Sequence, residues 1–300
     1  MRDVSAKPTT LRTARARAEV TAAKPTLEAV LAHRTPKGDP LPVAKVAAIQ
    51  AAKKTAEWIP YCHNIPIEHV ETHFEILDDR IAIEVTVVSV ARTGVEMEAM
   101  TAAAAAALTL VDMLKMIDAS MTIASIRLLE KTGGKSDAHS VDPWRAHVLV
   151  CSDRISAGQF EDRSGEILAS GCRSWGATEV ALTIVPDDIA AIRASVEASV
   201  GAGADVLLVT GGTGIGPRDR TPEAVEPLLD LPLPGVVEAL RSHGQARLGT
   251  AMLSRSVAGI MGRTVLVTVP GSPSACRDAI AVLFPALLHT KAMLLGGGHS

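Results

Sequence analysis

The chain has 300 residues, enough for two domains of ordinary size, and with 47% hydrophobic but only 2% aromatic residues its cores must be built from Ala, Val, Leu and Ile. A formal net charge of -3 and so few rings for base stacking leave no case for nucleic-acid binding. Four scattered cysteines, Cys62, Cys151, Cys172 and Cys276, form no C-x-x-C pair, so neither a zinc site nor a disulfide framework is indicated, and a reducing cytoplasm fits.

The first twenty residues lack the apolar core of a signal peptide, and Asp112 and Lys115 interrupt the longest apolar stretch, so no membrane segment is expected. Residues 1–45 read as strand or irregular structure followed by a short helix near Leu27 to Leu31. Within them stands Pro36-Lys37-Gly38-Asp39, locally a turn with a solvated amine. Val43 to Lys54 is Ala-rich and helical in pattern, ending before Pro60. Ile59 to Pro66 is bracketed by prolines and carries Tyr61, Cys62 and His63. His63 is either a proton-transfer group, since imidazole titrates near neutrality, or a structural histidine bonded to backbone.

Two alternating runs between Val70 and Val90, separated by Asp78-Asp79-Arg80, predict an antiparallel hairpin. The next stretch, Thr93 to Lys115, dominates this half. Thr93 with Glu96 reads as a capping box opening a helix that reaches about Ile117. Glu98 and Asp112 are fourteen residues apart, so they differ by only about 40° around the helix axis, with Lys115 one turn further on. These charges either line a solvated face or meet in a crowded site; Ala102 to Ala107, which remove bulk from the helix middle, suit packing against another helix or subunit. Met121 to Leu129 is strand-like and leads into Lys131-Thr132-Gly133-Gly134-Lys135. The order predicts an α+β domain, ferredoxin-like, with helices on one face of an antiparallel sheet, over residues 1–137; a polar linker occupies 138–145.

Residues 146–300 alternate strand and helix, predicting a three-layer α/β domain with a mostly parallel sheet. Strands are expected at Ala146 to Cys151, Glu179 to Val185, Asp205 to Thr210 and Thr264 to Val269, with helices over Asp188 to Val200 and Ser274 to Leu295. Ligands in such folds bind beyond the carboxyl ends of the strands. There the chain places Ser152-Asp153-Arg154, Pro186-Asp187-Asp188, Thr210 to Asp219 and Pro270-Gly271-Ser272-Pro273. Thr221-Pro222 and Ser272-Pro273 read as helix starts whose free amides suit phosphate. The loop Gly211-Gly212-Thr213-Gly214 completes neither a P-loop nor a G-x-G-x-x-G fingerprint. Asp187 and Asp219 at neighbouring strand ends are a donor pair for Mg²⁺, with a phosphate supplying further oxygen ligands.

These strings also carry resemblances. DVSAKPTTLR, KGD, YCHNIP, TGVEMEAMTAAAAAALTLVDMLK and RLLEKTGGKS resemble the cyclic pyranopterin monophosphate synthase family of molybdenum-cofactor biosynthesis, over residues 1–137. VLVCSDRISAG, VPDD, TGGTGIGPRDRTPE and VPGSP are similar to the molybdopterin adenylyltransferase family, over about 146–296. The first resemblance implies conversion of a cyclised dihydro-GTP to cyclic pyranopterin monophosphate, with pyrophosphate released and no redox cofactor. By position it implies positive charge or proton transfer from Arg12, Lys37, Lys115 and Lys131. It makes His63, Glu98 and Asp112 binding or acid-base groups, and Tyr61, Cys62 and Met97 pocket lining. It further implies a homo-oligomer whose sites lie between subunits. Asn64 and Pro36 depart from the proline and histidine common at those places.

The second resemblance implies AMP transfer from Mg-ATP to molybdopterin. Asp187 and Asp219 then serve in metal binding and positioning, and Gly211, Gly212, Thr213, Gly214 and Ser272 hold phosphate or pterin. Together the two imply a bifunctional cytoplasmic enzyme that takes small pterin and nucleotide substrates and works beside the other enzymes of the pathway. The competing reading makes one half catalytic and the other a pterin-binding or assembly module.

Overall fold

A computed structural model of the chain describes residues 1–134 and 142–296. Two compact units divide it, Met1–Asp137 and Ala138–Ser300. Lys135 and linker positions 138–141 lie outside the described residues. Trp144 and Arg145, assigned above to the linker, already belong to a strand: Trp144 is buried and pairs with Ala177, because its ring is needed in the core of the second unit.

In the first unit, β1 (Thr10–Thr21) turns Ala14, Ala16, Ala18 and Val20 inward at every second position, as strand geometry requires. Next come α1 (Lys24–Leu31), α2 (Pro40–Lys53), capped by Asp39 through a 3.0 Å bond from the Leu41 N–H, and α3 (Thr55–Trp58). The hairpin forms as expected from β2 (His69–Ile76) and β3 (Arg80–Ala91), and α4 (Glu96–Leu114) and β4 (Thr122–Thr132) complete the unit. The four strands run in the order β2-β3-β1-β4, every neighbour antiparallel, with α4 packed on β1, β3, β4 and α2.

Three features of helix α4 bear on the expectations above. It starts at Glu96 with Val95 in the capping place, and no side chain caps it, so the Thr93 capping box does not form. Gly94 has no side chain to stop the Glu96 carboxylate folding back over it, and that carboxylate instead pairs with Lys131 at 3.0 Å. Second, Ala102, Ala103, Ala105, Ala106 and Ala107 are buried within the unit, where α2 presents Ala44, Ala48, Ala51 and Ala52, so the small-residue run serves helix-helix contact inside the chain. Third, by length and composition α4 passes as a candidate membrane span despite Asp112; its 61% burial within the unit marks a core helix. Beyond its end, Asp118 accepts bonds from the Ala23 N–H (2.7 Å) and from the Ser120 N–H and hydroxyl, which ties the tail of α4 to the start of α1.

The second unit comprises β5 (Trp144–Cys151), α5 (Asp153–Ser156), α6 (Ser164–Ser174), β6 (Ala177–Val185), α7 (Ile189–Gly201), β7 (Val206–Thr210) and α8 (Thr221–Val225). It continues with β8 (Leu231–Pro232), α9 (Pro234–Gln245), β9 (Ala258–Met261), β10 (Thr264–Val269), α10 (Pro273–Leu283) and α11 (His289–Leu294). Its six-stranded sheet has the order β6-β5-β7-β10-β9-β8, parallel from β6 to β10 and antiparallel at β9 and β8. Helices α6, α9 and α10 cover one face and α7 and α8 the other, so the central strands are apolar on both sides.

The two antiparallel strands β8 and β9 were not anticipated, since runs of two and four residues carry too little alternation to register. The helix expected over Ser274 to Leu295 breaks at Phe284, because Pro285 has no N–H to donate to the preceding turn.

The α2–α4 contact yields a prediction. Ala48→Leu inserts bulk into a fully covered site and should destabilise the first unit by about 1–3 kcal/mol, read as a lowered urea midpoint for the full chain.

Candidate functional sites

The first unit places its charged residues at the two ends of α4. At the C-terminal end, Lys37 donates to the Asp112 backbone carbonyl at 2.9 Å and to its carboxylate at 3.0 Å, while Lys115 meets the other carboxylate oxygen at 2.7 Å. Lys37 is held there by the turn before α2: Gly38 takes a left-handed φ of 83°, closed by the Thr35 hydroxyl on the Gly38 carbonyl, and Asp39 caps the helix directly after it. The Lys115 and Lys37 hydrogen bonds hold the Asp112 carboxyl below the usual range. With Asp112 57% and Lys115 59% exposed, these pairs contribute little to stability.

At the N-terminal end, Glu98 is buried, and burial pushes its carboxyl above the ordinary carboxylate range, with the nearby Glu96 charge adding to the effect. Cys62 is close enough for the Glu98 charge to reinforce the upward push that burial gives its thiol. His63 sits half-buried in the extended segment after Cys62; the Ser89 hydroxyl fastens that segment to β3 through the Pro66 carbonyl at 2.6 Å. Tyr61 and Met97 are exposed nearby in sequence. Arg12 on β1 runs against Gly133 and Gly134, just past the end of β4, where any side chain would collide with it, and its Nε is buried without a hydrogen-bond partner. An orphaned cationic donor of this kind is where an anionic ligand belongs.

One helix therefore carries two partial sites. Glu98 and Asp112 share a side of α4 as the spacing predicts, yet fourteen residues at 1.5 Å each set them roughly 21 Å apart along the axis. A small substrate cannot touch both within one copy.

In the second unit the strand ends converge as expected. The Asp187 carboxylate accepts from the Asp153 N–H at 3.1 Å, and the Asp153 carboxylate accepts from the Asp187 N–H at 3.0 Å, which locks the ends of β5 and β6 together. Between them and Asp219 runs the glycine loop. Gly211 and Gly212 have φ of 101° and 59°; a side chain on Gly211 would strike the Cys151 carbonyl, and one on Gly212 would press on Thr221 and approach Asp187. The Asp219 carboxylate accepts from the Gly216 N–H at 2.8 Å and lies against Gly214. Both aspartates thus face one loop of bare backbone.

Burial raises the Asp187 carboxyl above its usual range; the Asp153 N–H offsets this, and the charges of Asp153 and Asp219 add to it. Ser272 caps α10 through the Ala275 N–H. Thr221 does not cap α8 as expected: its hydroxyl donates to the Gly211 carbonyl at 2.8 Å and its N–H to the Gly212 carbonyl, because closing the glycine loop takes precedence over capping a five-residue helix.

Two cavities adjoin this loop and share Gly211, Gly212, Asp219 and Gly271. One, of 860 Å³, is walled by Asp153, Asp187, Arg218 and the exposed ring of Phe160, with the Arg154 guanidinium 5.6 Å over that ring. The other, of 680 Å³, is walled by Val237, Leu240, Arg241, Arg247, Leu248 and Ser272. Among the described residues no group of three His, Cys, Asp or Glu side chains is arranged to hold a metal ion. Two mutually repelling carboxylates beside bare amides instead fit a hard divalent cation that completes its shell from a bound phosphate.

The MoaC family matches residues 1–134 and the "Probable molybdopterin binding domain" family matches residues 147–289. A molybdenum cofactor biosynthesis bifunctional protein of Chlorobaculum tepidum is 46% identical over the whole chain and 96% of its own length. Another, from Synechococcus elongatus, is 42% identical over the whole chain and 98% of its length. A cyclic pyranopterin monophosphate synthase of Thermomicrobium roseum is 52% identical over 45% of this chain and 83% of its own. The class is thus a two-domain protein of molybdenum-cofactor biosynthesis. The chain belongs to the family of molybdenum cofactor biosynthesis bifunctional proteins.

Some contributors escaped sequence reading. Arg255, which grips the glycine loop, and Arg241 and Arg247 in the second cavity lie outside every motif; only three-dimensional proximity identifies them.

The raised Asp187 carboxyl makes a signed prediction. Its charge costs stability at neutral pH, so Asp187→Asn should raise the melting temperature of the second unit, and should lower its Mn²⁺ affinity if the carboxylate faces a cation. The gain should be full above the raised pKa of Asp187 and vanish below about pH 3.9, where the carboxyl is protonated in both folded and unfolded chains. Thermal melts across pH, with Mn²⁺ titrations, check both parts.

Proposed function

We propose that the first unit is a cyclic pyranopterin monophosphate synthase and the second a molybdopterin adenylyltransferase. The observation that carries this reading is that each half keeps a coherent ionisable set: in the first, Lys37-Asp112-Lys115 exposed at one end of α4 and buried Glu98, with Arg12 and Lys131, at the other; in the second, Asp187 and Asp219 around the glycine loop. The strand order β2-β3-β1-β4, with helices between β1 and β2 and between β3 and β4, supports a ferredoxin-like reading of the first unit over residues 1–137; the second domain, expected over 146–300, begins at Trp144. Four free thiols support a cytoplasmic setting.

Making a cyclic phosphate from a triphosphate requires a substrate hydroxyl to attack the α-phosphorus as pyrophosphate leaves. Arg12, Lys37 and Lys131 would neutralise phosphate charge, as guanidinium and ammonium donors do. Lys115, held by Asp112, and His63 would move protons, and Glu98, with its raised carboxyl, is suited to carry one. Tyr61, Cys62 and Met97 would line the pocket. The roughly 21 Å between the two ends of α4 supports a homo-oligomer in which the Asp112 end of one copy meets the Glu98 end of another.

In the second unit, Asp187 and Asp219 would hold Mg²⁺, which when bound neutralises the phosphates of ATP. Gly211, Gly212, Thr213 and Gly214 would cradle phosphate with backbone amides, and Ser272 would place the start of α10 beside it. The scheme transfers no electrons and uses no redox cofactor.

Mass spectrometry of products from the cyclised dihydro-GTP tests the first unit: wild type should form cyclic pyranopterin monophosphate and pyrophosphate, and Lys115→Ala should not. Glu98→Gln alone should also be inactive, but co-assembled in equal amounts with Lys115→Ala it should recover about one quarter of wild-type activity, since random pairing leaves that share of composite sites intact. No recovery in mixed oligomers would remove the shared-site reading. For the second unit, Asp219→Asn should lose molybdopterin-dependent pyrophosphate release from Mg-ATP; unchanged release would turn this half into a binding or assembly module.

A further inference from the structure

Arg255 stands between a 3-10 helix, Gly249–Leu253, and β9, far in sequence from every strand-end motif. Its Nε donates to the Gly214 carbonyl at 2.7 Å, its Nη2 to the Asp219 carbonyl at 2.6 Å, and its backbone N–H to the Thr213 carbonyl at 2.8 Å. Its Nη1 pairs with the Glu223 carboxylate on α8, and the preceding Ser254 hydroxyl reaches Thr213 at 3.5 Å. One guanidinium therefore spans both ends of the turn that carries Asp219. A glycine-rich loop has more backbone freedom to lose than any other, so bonds to its carbonyls decide whether it is ordered before a ligand arrives. A lysine cannot reproduce the grip, because its three donors radiate from a point and do not form a planar fork.

We propose that Arg255 is a positioning residue for the second site. It orders Thr213 to Asp219 so that the Asp219 carboxylate stands ready for the cation and phosphate; this rests on reading Asp219 as a carboxylate that faces the cation. The grip also joins the two cavities. Leu248, Ala251, Leu253 and Ser254, which wall the 680 Å³ cavity, lead directly into Arg255, whose bonds end on Thr213 and Gly214 in that same cavity and on Asp219, which borders both.

The test uses the full chain with Arg255→Lys, and Glu223→Gln as a milder variant that keeps the arginine but removes its anchor. Hydrogen exchange by mass spectrometry reads loop order without any substrate, and Mn²⁺ titration reads the carboxylates. Loss of two charge-assisted bonds should speed exchange of amides 212–219 by about tenfold or more in Arg255→Lys, and by less in Glu223→Gln, with strand amides of β5 and β10 unchanged. Mn²⁺ affinity should fall by about tenfold in parallel. Unchanged loop exchange in Arg255→Lys, or faster exchange spread evenly over the unit with Mn²⁺ affinity intact, would overturn the proposal and leave Arg255 an ordinary surface contact. Failure of the underlying reading shows separately: Asp219→Asn would then bind Mn²⁺ as wild type does, whatever the exchange of the loop.

Discussion

Close contact between the alanines of α4 and those of α2, over an antiparallel sheet lined by Ala14, Ala16 and Ala18, governs the first unit. Small side chains let the backbones approach, and what the contact lacks in buried area per residue it recovers in length and in the absence of side-chain entropy to lose. Asp118 then ties down the tail of α4 with bonds from Ala23 and Ser120, and the Ser120 hydroxyl holds its carboxyl below the usual range. The result is a stiff rod with ionisable groups at each end, one end buried around Glu98 and the other open around Asp112.

The second unit solves a different problem with related means. There the loop between Asp187 and Asp219 presents backbone, so the side chains around it are occupied with keeping that backbone in place. Asp153 and Asp187 bind each other's amides, Thr221 closes on Gly211, the Ser164 hydroxyl holds the Gly271 carbonyl at 2.6 Å, and Arg255 spans the rest. Charge repulsion among Asp153, Asp187 and Asp219 is tolerated because the parallel sheet beneath is apolar on both faces and holds the strand ends regardless. A site that is electrostatically unfavourable when empty is well suited to a cation.

Much of this was legible in the chain because it depends on local period and punctuation. The hairpin around Asp79, the central strands of the second sheet, the Ser272-Pro273 helix start and the meeting of Asp187 with Asp219 all follow from alternation, proline or strand order. What failed depended on competition with distant partners. Thr93 lost its capping role because Glu96 found Lys131, and Thr221 because Gly211 needed its hydroxyl. The alanine run was read as a contact for another helix or subunit, and α2, some fifty residues earlier, is the helix it meets. Arg255 left no local trace at all, since a single arginine after a serine carries no period. The axial distance between Glu98 and Asp112 was open to calculation from the start, but angle alone made them look like neighbours.

That distance makes α4 a ruler as well as a core helix. Its alanines can exchange with other small residues while the spacing of its ends is kept, so the helix has freedom in composition. It has almost none in length. One residue inserted between Glu98 and Asp112 would swing Asp112 and Lys115 by roughly 100° and advance them by about 1.5 Å, away from Lys37 and from any partner copy. Drift in this family should therefore be read in the alanines as substitution, and in the helix as a fixed count.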